Sequence, residues 1–369
     1  MPSKPQFVGE CRRVKLNEIC TKGKSSLRQK DVFNDGPYSV YGASGVVGTT
    51  CDYQNEIPYV AVVKDGAGVG RASVCEPMTS VLGTMQALIP NSNVERDYLL
   101  HLVRSLRLGE GFSGSTIPHI YFKDYGRIEV PLPSLEAQNQ IVSQLGLVEA
   151  QITQAEAQIE QLDSLVKSRF VEMFGDEVDA EIMALKDVCS IITDGTHQPP
   201  KFSIEGIPFL FVSNIVQNSI VYETNKYISE EDYECLIKRT PIEIGDILVS
   251  AVGSFGHPAV VKEEKPFCFQ RHIAYLKPMH ELIDSNYLHA ALLSDDAQRY
   301  MNLCAKGVAQ RTVTLKSFKE MRIPVPPLTL QQEFANFASQ VDKSRFVAQK
   351  QVEKLQMLYD SLAQEYFGD

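Results

Sequence analysis

Residues 158–176 read QIEQLDSLVKSRFVEMFGD, and residues 351–369 read QVEKLQMLYDSLAQEYFGD. The second segment lies 193 positions after the first without a gap, and nine of the nineteen positions are identical. Ordinary residue usage would give about one chance match over this length. The same offset aligns PLPSL at 131–135 with PVPPL at 324–328. The chain is therefore predicted to consist of two related halves.

Both repeated segments lie at the ends of long helical patterns. In each pattern the seam positions recur at spacings of three and four, which is the seam of a coiled coil. The first seam comprises Ile141, Leu145, Val148, Ile152, Ala155, Ile159, Leu162 and Val166. The second comprises Phe334, Phe337, Val341, Ala348, Val352, Leu355, Tyr359, Leu362 and Tyr366, with one polar interruption at Arg345. Each pattern predicts a helix of about 40 residues and about 60 Å.

The ends of these helices carry capping signals. Ser134 is interpreted as an N-cap, and Thr329 with Gln332 as a capping box. Gly175 and Gly368 are predicted to be the C′ residues that follow the last turns. The helices are thus predicted over 134–176 and 329–369. Residues 177–328 return the chain from the end of one helix to the start of the other, so an antiparallel coiled coil is favoured.

The remaining segments, module one (1–133) and module two (177–328), have a different texture. They are rich in Gly, Pro, Tyr and Val, and short β-branched runs alternate with short helical stretches. LNEIC at 16–20 matches LKDVC at 185–189, which indicates two diverged copies of one module with about 24 extra residues in the second. The predicted fold class is α+β: two α/β modules separated by two long helices that form an antiparallel coiled coil, with a pseudo-two-fold internal repeat.

Charge and cysteine usage narrow the class of protein. The net charge is −10, but residues 135–180 alone contribute −7, so the acid excess lies mainly on the first helix. That distribution leaves room for basic faces on the modules. The eight cysteines form no Cys-x-x-Cys pair, which indicates neither a zinc site nor a disulfide framework. No apolar run reaches the ~20 residues needed to span a bilayer. A cytoplasmic location without membrane attachment is expected.

Motifs that carry catalysis or bind cofactors were sought in both modules. Neither a phosphate-binding loop with Lys-Ser/Thr nor a Gly-x-Ser-x-Gly elbow nor a His-Glu-x-x-His helix is present. Residues 65–71, DGAGVGR, superficially resemble a dinucleotide-binding loop, but ASVC at 72–75 predicts a strand where that loop needs a helix. A tight turn between strands is therefore predicted. The seven histidines form no metal-ligand pattern, so a protein without catalytic, metal or cofactor site is expected.

Several segments together resemble one known family. They are IEVPLPSLEAQ (128–138), MRIPVPPLTLQQ (321–332), YSVYGASGVVG (38–48), DGAGVGR (65–71), DGTHQPP (194–200), GIPFLFVSN (206–214) and GDILVS (245–250). In this order, and with the repeated helices, the chain resembles the specificity subunit of a type I restriction–modification system. The resemblance covers essentially the whole chain.

The resemblance implies a DNA-binding protein with two target-recognition domains, each reading one half of a split site in double-stranded DNA. The helices would set the spacing between the halves and dock two methylation subunits, which carry the S-adenosylmethionine chemistry. A restriction subunit with ATP-driven translocase and nuclease activity is an optional further partner. The chain itself would be non-catalytic and bind no cofactor. Rigid spacing is what half-sites on a duplex require.

Base edges are read mainly by Arg, Lys, Asn, Gln, Ser and Thr side chains on loops. On this ground the following residues of module one are predicted to contact DNA: Tyr41, Ser44, Lys64, Arg71, Ser115, Thr116 and His119. In module two the predicted contacts are Thr196, His197, Lys201, Ser213, Asn214, Ser254, Arg271, Gln310 and Arg311. A solvated loop residue remains the alternative for each of them.

Three other functions stay open at this point. The first is a specificity subunit whose partner fuses modification and cleavage in one polypeptide. The second is a coiled-coil scaffold whose modules bind protein and not DNA. The third is a nucleotide-dependent enzyme that uses residues 65–71. The sequence reveals neither the DNA target, the gap length nor the methylated base.

Overall fold

A computed structural model describes residues 11–111, 118–175, 180–198, 200–307 and 310–368. The chain divides into two compact units, one formed by residues 1–157 with 349–369 and the other by residues 158–348. Each unit thus contains one module, half of the first long helix and half of the second. No helix in the described ranges is both long enough and apolar enough to cross a bilayer.

Module one is built on short strands and short helices. Its strands are β1 (Arg12–Lys15), β2 (Cys20–Lys22), β3 (Tyr38–Gly42), β4 (Gly45–Thr50), β5 (Tyr59–Val63), β6 (Ala72–Cys75), β7 (Ser80–Val81), β8 (Met85–Pro90) and β9 (Glu129–Leu132). Its helices are α1 (Leu16–Ile19), α2 (Arg96–Ser105) and α3 (Phe122–Tyr125), and the long helix α4 (Leu135–Phe174) follows.

Module two repeats this plan with additions. Its strands are β10 (Glu181–Ala184), β11 (Cys189–Asp194), β12 (Ile207–Leu210), β13 (Ile215–Val216), β14 (Ser219–Ile220), β15 (Tyr227–Ile228), β16 (Ile247–Ser250), β17 (Pro258–Val260), β18 (Cys268–Phe269), β19 (Ile273–Pro278) and β20 (Arg322–Val325). Its helices are α5 (Leu185–Val188), α6 (Glu230–Leu236), α7 (Ser285–Leu293), α8 (Asp295–Cys304) and α9 (Leu315–Glu320), and the second long helix is α10 (Leu328–Phe367).

The two modules share one sheet topology, which confirms the predicted duplication. Module one has a four-stranded antiparallel sheet in the order β2-β8-β5-β6, and module two has its counterpart β11-β19-β16-β17. A second sheet, β4-β3-β7, corresponds to β15-β12-β18, and each contains one parallel pair. The pairs β1-β9 and β10-β20 precede the long helices. Mixed α+β architecture is therefore confirmed.

Most of the extra residues of module two lie in two connections. The hairpin that occupies residues 38–50 in module one extends over residues 207–228 in module two, where it includes β13 and β14. The link to the central sheet occupies residues 51–58 in module one and residues 229–246 in module two, where it includes α6. Neither addition changes the four-stranded sheet, because β5 and β16, which follow the additions, occupy the same position in their sheets.

The predicted seams face inward. Every seam residue of α4 and α10 is buried or half-buried. In the first unit Tyr366 donates a hydrogen bond to Gln144, and in the second Arg169 donates one to Glu333 at 3.3 Å. Late residues of α10 thus meet early residues of α4, and early residues of α10 meet late residues of α4. Within each unit the helix segments are antiparallel, as predicted.

The polar interruption of the second seam has its own partners. The Arg345 side chain is 15% exposed, and its guanidinium donates to Asp342 at 3.1 Å and lies 3.9 Å from the Asp163 carboxylate of α4. Burial raises the pKa of Asp163, and Arg345 counteracts that shift. A buried cation that pairs across two helices favours one register of the helices over the other possible registers.

The helix caps agree with the sequence in part. Ser134 accepts a hydrogen bond from the Ala137 amide at 3.3 Å, as an N-cap does. The C′ assignment of Gly175 and Gly368 is wrong: neither has the positive φ of a left-handed C′ residue, and the Gly175 amide continues the helical bonding by donating to Val171 at 2.8 Å. The capping box assigned to Thr329 and Gln332 is wrong. The helix begins one residue earlier, because the Pro327 carbonyl accepts from Leu330 and the start of α10 aligns with the start of α4.

A buried glutamine fastens each long helix to its module. Gln138 is fully buried; its Oε1 accepts from the Glu95 amide at 2.8 Å, and its Nε2 donates to the Asn93 and Pro133 carbonyls at 3.0 Å each. Gln331, which is 193 positions later, makes the same three kinds of bond in module two. Each amide thus satisfies three backbone groups at the junction of helix and module.

We expect Gln138→Ala to lower the free energy of unfolding of the first unit by about 3 kcal/mol. The substitution leaves three polar backbone groups without a partner in a buried place and adds a small cavity. Urea denaturation followed by circular dichroism measures the loss. Gln140→Ala on the same helix is the matched control, because Gln140 is exposed. Equal stability of the two variants would contradict the fastening role.

The phenylalanine of the repeated Phe-Gly-Asp motif packs against a tyrosine of the module in each unit. Phe174, at the end of α4, is 7% exposed and packs edge-on against Tyr287 of module two at 4.8 Å between ring centroids. Phe367, at the end of α10, packs against Tyr98 of module one at 5.5 Å. Tyr98 and Tyr287 donate to the carbonyls of Pro131 and Pro324, both at 2.8 Å. The sequence repeat thus encodes the same aromatic contact twice.

One histidine makes the second unit sensitive to acid. Burial lowers the pKa of His289 from 6.5 to about 4, and Lys262 adds to the effect while Asp342 opposes it. The neutral ring donates from Nε2 to the Pro258 carbonyl at 3.2 Å. A base whose pKa is depressed on folding stabilises the protein above its unfolded pKa, and this contribution is lost as the pH falls toward the folded pKa.

We therefore expect the second unit to lose up to about 3 kcal/mol of stability through His289 between pH 6.5 and pH 4. In His289→Gln the amide can still donate to Pro258 but does not titrate. Urea denaturation of both proteins at pH 7.5 and pH 4.5 separates this contribution from that of the carboxylates. An identical loss on acidification in the two proteins would refute the assignment.

Candidate nucleic-acid interface

The polar loops of each module gather at one end of its four-stranded sheet. In module one β5 ends there while β6 and β8 begin there. We call residues 64–71, 82–84 and 118–120, which cover this end, loop end one. Loop end two is the corresponding region of module two, residues 251–257, 270–272 and 311–313, where β16 ends and β17 and β19 begin.

The glycine-rich segment of loop end one is a tight turn. Gly66, Gly68 and Gly70 have φ of +87°, +89° and +85°, a region that residues with a Cβ rarely adopt. A Cβ at Gly70 would lie 2.2 Å from the backbone nitrogen of Gly109. The turn leads from β5 into β6, which is a strand. The prediction of a turn is confirmed, and the dinucleotide-loop alternative is wrong because no helix follows.

Three backbone hydrogen bonds hold loop end one together. The Lys64 amide donates to Thr84 at 3.0 Å, the Gly66 amide donates to Pro118 at 3.0 Å, and the Lys64 carbonyl accepts from Ile120 at 3.0 Å. Separate loops are thereby fixed side by side. A further bond, from the Leu82 amide to the Tyr41 carbonyl at 2.9 Å, attaches the β3–β4 hairpin to the same region.

Loop end two has the same three bonds. The Ala251 amide donates to His272 at 2.9 Å, the Gly253 amide donates to Arg311 at 2.9 Å, and the Ala251 carbonyl accepts from Val313 at 2.9 Å. Position 64 thus corresponds to 251, 84 to 272, 118 to 311 and 120 to 313. The frame consists of backbone atoms in both modules, whereas three of these four pairs differ in side-chain chemistry: Lys64 and Ala251, Thr84 and His272, and Pro118 and Arg311.

Loop end one brings together several of the residues predicted for module one. Lys64 is half-buried and Arg71 is exposed, with its Nε 3.4 Å from the Gly68 carbonyl. The Nδ1 atom of His119 lies 2.7 Å from the Asp65 carboxylate, and its ring stacks on Tyr121. These side chains share the surface above the turn.

The remaining predicted residues of module one lie on the hairpin or outside the described ranges. Ser44 is exposed at the tip of the β3–β4 hairpin. Tyr41 is half-buried against the core, and that burial raises the pKa of its phenol. Ser115 and Thr116 lie outside the described residues.

In module two, the end of β11 joins loop end two. The Arg271 amide donates to the Thr196 carbonyl at 3.1 Å, and the Thr196 hydroxyl donates to Gln198 at 2.9 Å. His197 and Lys201 are exposed, and so is the Arg271 side chain. Burial, together with the neighbouring Arg271, lowers the pKa of His272, so that ring is neutral at pH 7.

The turn of loop end two holds three more of the predicted residues. Ser254 and Gln310 are exposed, and the Ser254 hydroxyl lies 3.2 Å from Nε2 of His257. The Arg311 guanidinium lies 5.1 Å from the Phe255 ring and also bonds to Asn302. Arg311 is thereby held in one place at the surface.

Asn214 is a structural residue. Its side chain is 7% exposed; its Oδ1 accepts from the Phe211 amide at 2.9 Å, and its Nδ2 donates to Val221 and Glu223 at 2.9 and 3.0 Å. Both N–H donors of the amide and its oxygen are engaged within the hairpin. We therefore remove Asn214 from the candidate interface and keep its neighbour Ser213, which is exposed.

One polar pair at this end, Asp194 with Arg239, was not predicted from the sequence. Asp194, at the end of β11, accepts from Arg239 with one carboxylate oxygen and lies 3.0 Å from Nε2 of His197 with the other. Arg239 is 45 residues away in sequence, in the added segment that follows α6. No periodicity or motif links these positions, so only the fold brings them together.

Comparison with known proteins places this architecture in a family. The sequence profile of the family described as type I restriction modification DNA specificity domain matches residues 10–163 and again 177–356. The chain belongs to this family. The two matches cover most of the chain, one in each half, and agree with the duplicated topology of the two modules.

Named relatives of this specificity family are distant in sequence. The MjaVIII specificity subunit of Methanocaldococcus jannaschii is 24% identical over 283 residues, which are 70% of this chain and 66% of that protein. The EcoBI specificity subunit of Escherichia coli is 24% identical over 282 residues, which are 68% of this chain and 59% of that protein. The matched region thus spans about three fifths to two thirds of these relatives.

Solved structures show the same fold. The S subunit of a type I restriction–modification system from M. genitalium matches with a TM-score of 0.58 and 17% identity over all of both chains. A chain from a structure that concerns complex assembly and conformational transition of the type I R-M system matches with a TM-score of 0.51 and 18% identity over 99% of both chains. At this identity the likeness concerns the fold.

Proposed function

We propose that this chain is the DNA-recognition subunit of a type I restriction–modification complex. Loop end one would read one half of a bipartite site in double-stranded DNA, and loop end two would read the other half. The residues that we assign to reading are Ser44, Lys64, Arg71 and His119 in module one, and Thr196, His197, Lys201, Ser213, Ser254, Arg271, Gln310 and Arg311 in module two. Tyr41 supports the hairpin from below, since it packs on the core.

The observation that carries this proposal is that both loop ends have the same backbone hydrogen bonds but different side chains at equivalent positions. Three equivalent backbone hydrogen bonds build each loop end, yet lysine stands opposite alanine and proline opposite arginine at matching positions. Readers of two different half-sites need one scaffold with different polar side chains, because base edges differ in donors and acceptors.

The long helices are proposed to set the distance between the half-sites and to dock two methylation subunits. Both helices expose large apolar side chains away from the seam: Leu147 is 64% exposed, Val171 67% and Met357 72%. We take these side chains as part of the surface that a methylation subunit covers. In Val171→Asp and Met357→Asp we expect less methylation subunit to co-purify with the chain, while circular dichroism stays unchanged.

Catalysis is assigned to the partners. Methylation subunits would supply the S-adenosylmethionine chemistry, and a restriction subunit, where present, would supply ATP-driven translocation and cleavage. Such a complex would work in the cytoplasm, where the genomic DNA is. A partner that fuses modification and cleavage in one polypeptide would use the chain in the same way.

The decisive experiment maps modified bases in the genome of the native host with and without this chain. A split motif that is methylated only when the chain is present supports the proposal. Exchanging module two for that of a relative should then change one half of the motif and leave the other half intact. A genome whose methylation is the same in both strains would refute the proposal.

A further inference from the structure

The segment that differs most between module two and module one contains several acidic residues and one arginine. Residues 229–246 include α6, whose first turn carries Glu230, Glu231 and Asp232. The corresponding link in module one is residues 51–58 and has no helix. After α6 the chain turns back, and Arg239 returns to the end of β11 beside Thr193 and Asp194.

Arg239 is held there from one side only. Its Nη2 atom donates to the Asp194 carboxylate and to the Thr193 hydroxyl at 3.2 Å, and its Nε lies 3.4 Å from the same hydroxyl. In the part of the chain that the structure describes, Nη1 has no hydrogen-bond partner. The guanidinium is planar and rigid, so fixing one edge also fixes the direction of the other.

The three side chains of this group differ in their exposure to solvent. The Asp194 side chain is 14% exposed, whereas Arg239 and His197 are 51% and 52% exposed. The carboxylate therefore lies below two donors that face solvent. Thr196, two residues beyond Asp194, is bonded to Arg271, so the group borders loop end two.

We infer that Arg239 reads a guanine in the half-site of module two, with Asp194 as its positioning residue. Nη1, the guanidinium nitrogen without a partner among the described residues, carries two N–H donors, and guanine presents O6 and N7 as acceptors in the major groove. A side chain that is already held in one orientation loses less conformational freedom on binding. The inference rests on the proposed function and extends it to a residue pair that has no counterpart in module one.

The neighbouring carboxylate favours a base over a phosphate as the target. Arg239 and Asp194 together carry no net charge, so the pair attracts the phosphate backbone weakly. Its free N–H donors still match a base edge. Phosphate contacts add affinity that falls steeply with salt and carry no sequence information. The two assignments therefore differ in both salt dependence and sequence preference.

The test compares variants in the complete complex with its methylation subunits. Wild type, Arg239→Ala, Arg239→Lys, Asp194→Asn and the control Arg299→Ala are expressed in the host, and methylated bases are mapped. Arg299 is an exposed arginine of module two that pairs only with Asp296, one turn away on α8, among the described residues. The purified complexes are then titrated with cognate duplexes and with duplexes changed at single positions, at several salt concentrations.

We expect Arg239→Ala to relax one G·C position of the module-two half, with discrimination at that position reduced roughly tenfold or more. Arg239→Lys should not restore it, because lysine lacks the planar fork. Asp194→Asn should give a partial loss at the same position. The module-one half, the dependence of affinity on salt, and the behaviour of Arg299→Ala should remain as in wild type.

Two results would overturn the inference. One is an unchanged motif in Arg239→Ala. The other is equal weakening on all sequences together with a shallower salt dependence, which would make Arg239 a phosphate contact. Retention of the module-one half in each variant shows that the chain is folded and assembled. If wild type itself produces no split motif, the proposed function fails, and that outcome is distinct from either result.

Discussion

Replacing Phe174 by alanine is expected to destabilise the second unit by about 3–5 kcal/mol and to leave the first unit intact. Phe174 is 7% exposed and contacts the rings of Phe170, Tyr287 and Phe334, at centroid distances of 5.2, 4.8 and 5.6 Å. The substitution removes an aromatic side chain where module two meets both long helices. The loss comprises the transfer free energy of the ring and the cavity that remains.

Hydrogen–deuterium exchange read by mass spectrometry can resolve this effect by region. Amides of β16 and β19 should exchange roughly 100-fold faster or more in Phe174→Ala, whereas those of β5 and β8 should not change. Val171→Ala is the control on the same helix turn, because Val171 is 67% exposed. Uniform acceleration in both units, or none in either, would show that the aromatic contact does not hold module two in place.

Replacing Gly70 by alanine is expected to cost module one about 2–5 kcal/mol, since two effects add. The φ of +85° is strained for alanine by about 1–2 kcal/mol. The added Cβ would also lie 2.2 Å from the Gly109 nitrogen, a backbone atom that can yield only if the neighbouring turn moves. Overpacking of this kind typically costs a further ~1–3 kcal/mol.

Gly66→Ala separates the two effects. Gly66 has nearly the same φ, +87°, but nothing lies within 4 Å of its ideal Cβ. This variant should lose only about 1–2 kcal/mol. In the assembled complex, methylation of the split motif should fall strongly in Gly70→Ala and mildly in Gly66→Ala. Similar stabilities in the two variants would show that the Gly109 contact relaxes freely.

Periodic features of this chain could be predicted from the sequence. The seams of α4 and α10 follow spacings of three and four, with one polar interruption at Arg345, and the direction of the helices follows from the connection through module two. The cap at Thr329 was assigned wrongly because Thr329 and Gln332 fit a local pattern. The actual start depends on Pro327 and on the burial of Gln331 against the Leu282 carbonyl, which is a tertiary contact.

The location of the candidate site could be predicted from the sequence better than the individual residues that belong to it. Glycine-rich turns and polar loops indicated where the loop ends lie, because such segments rarely fit elsewhere. Asn214 looked like a reader by residue type, but its amide completes the hairpin. Arg239 gave no signal, since its role depends on Asp194, which only the folded chain brings next to it.

The hydrogen bonds at 64, 66 and 120, and at 251, 253 and 313, join amide and carbonyl groups that every residue except proline possesses. Side chains at 64, 84 and 118, and at 251, 272 and 311, can therefore change while the loops keep their shape. A lineage that carries such a protein could acquire a new recognition sequence by a few substitutions without passing through an unfolded intermediate. The side-chain atoms of these residues thus determine what is recognised, whereas their backbone atoms maintain the fold.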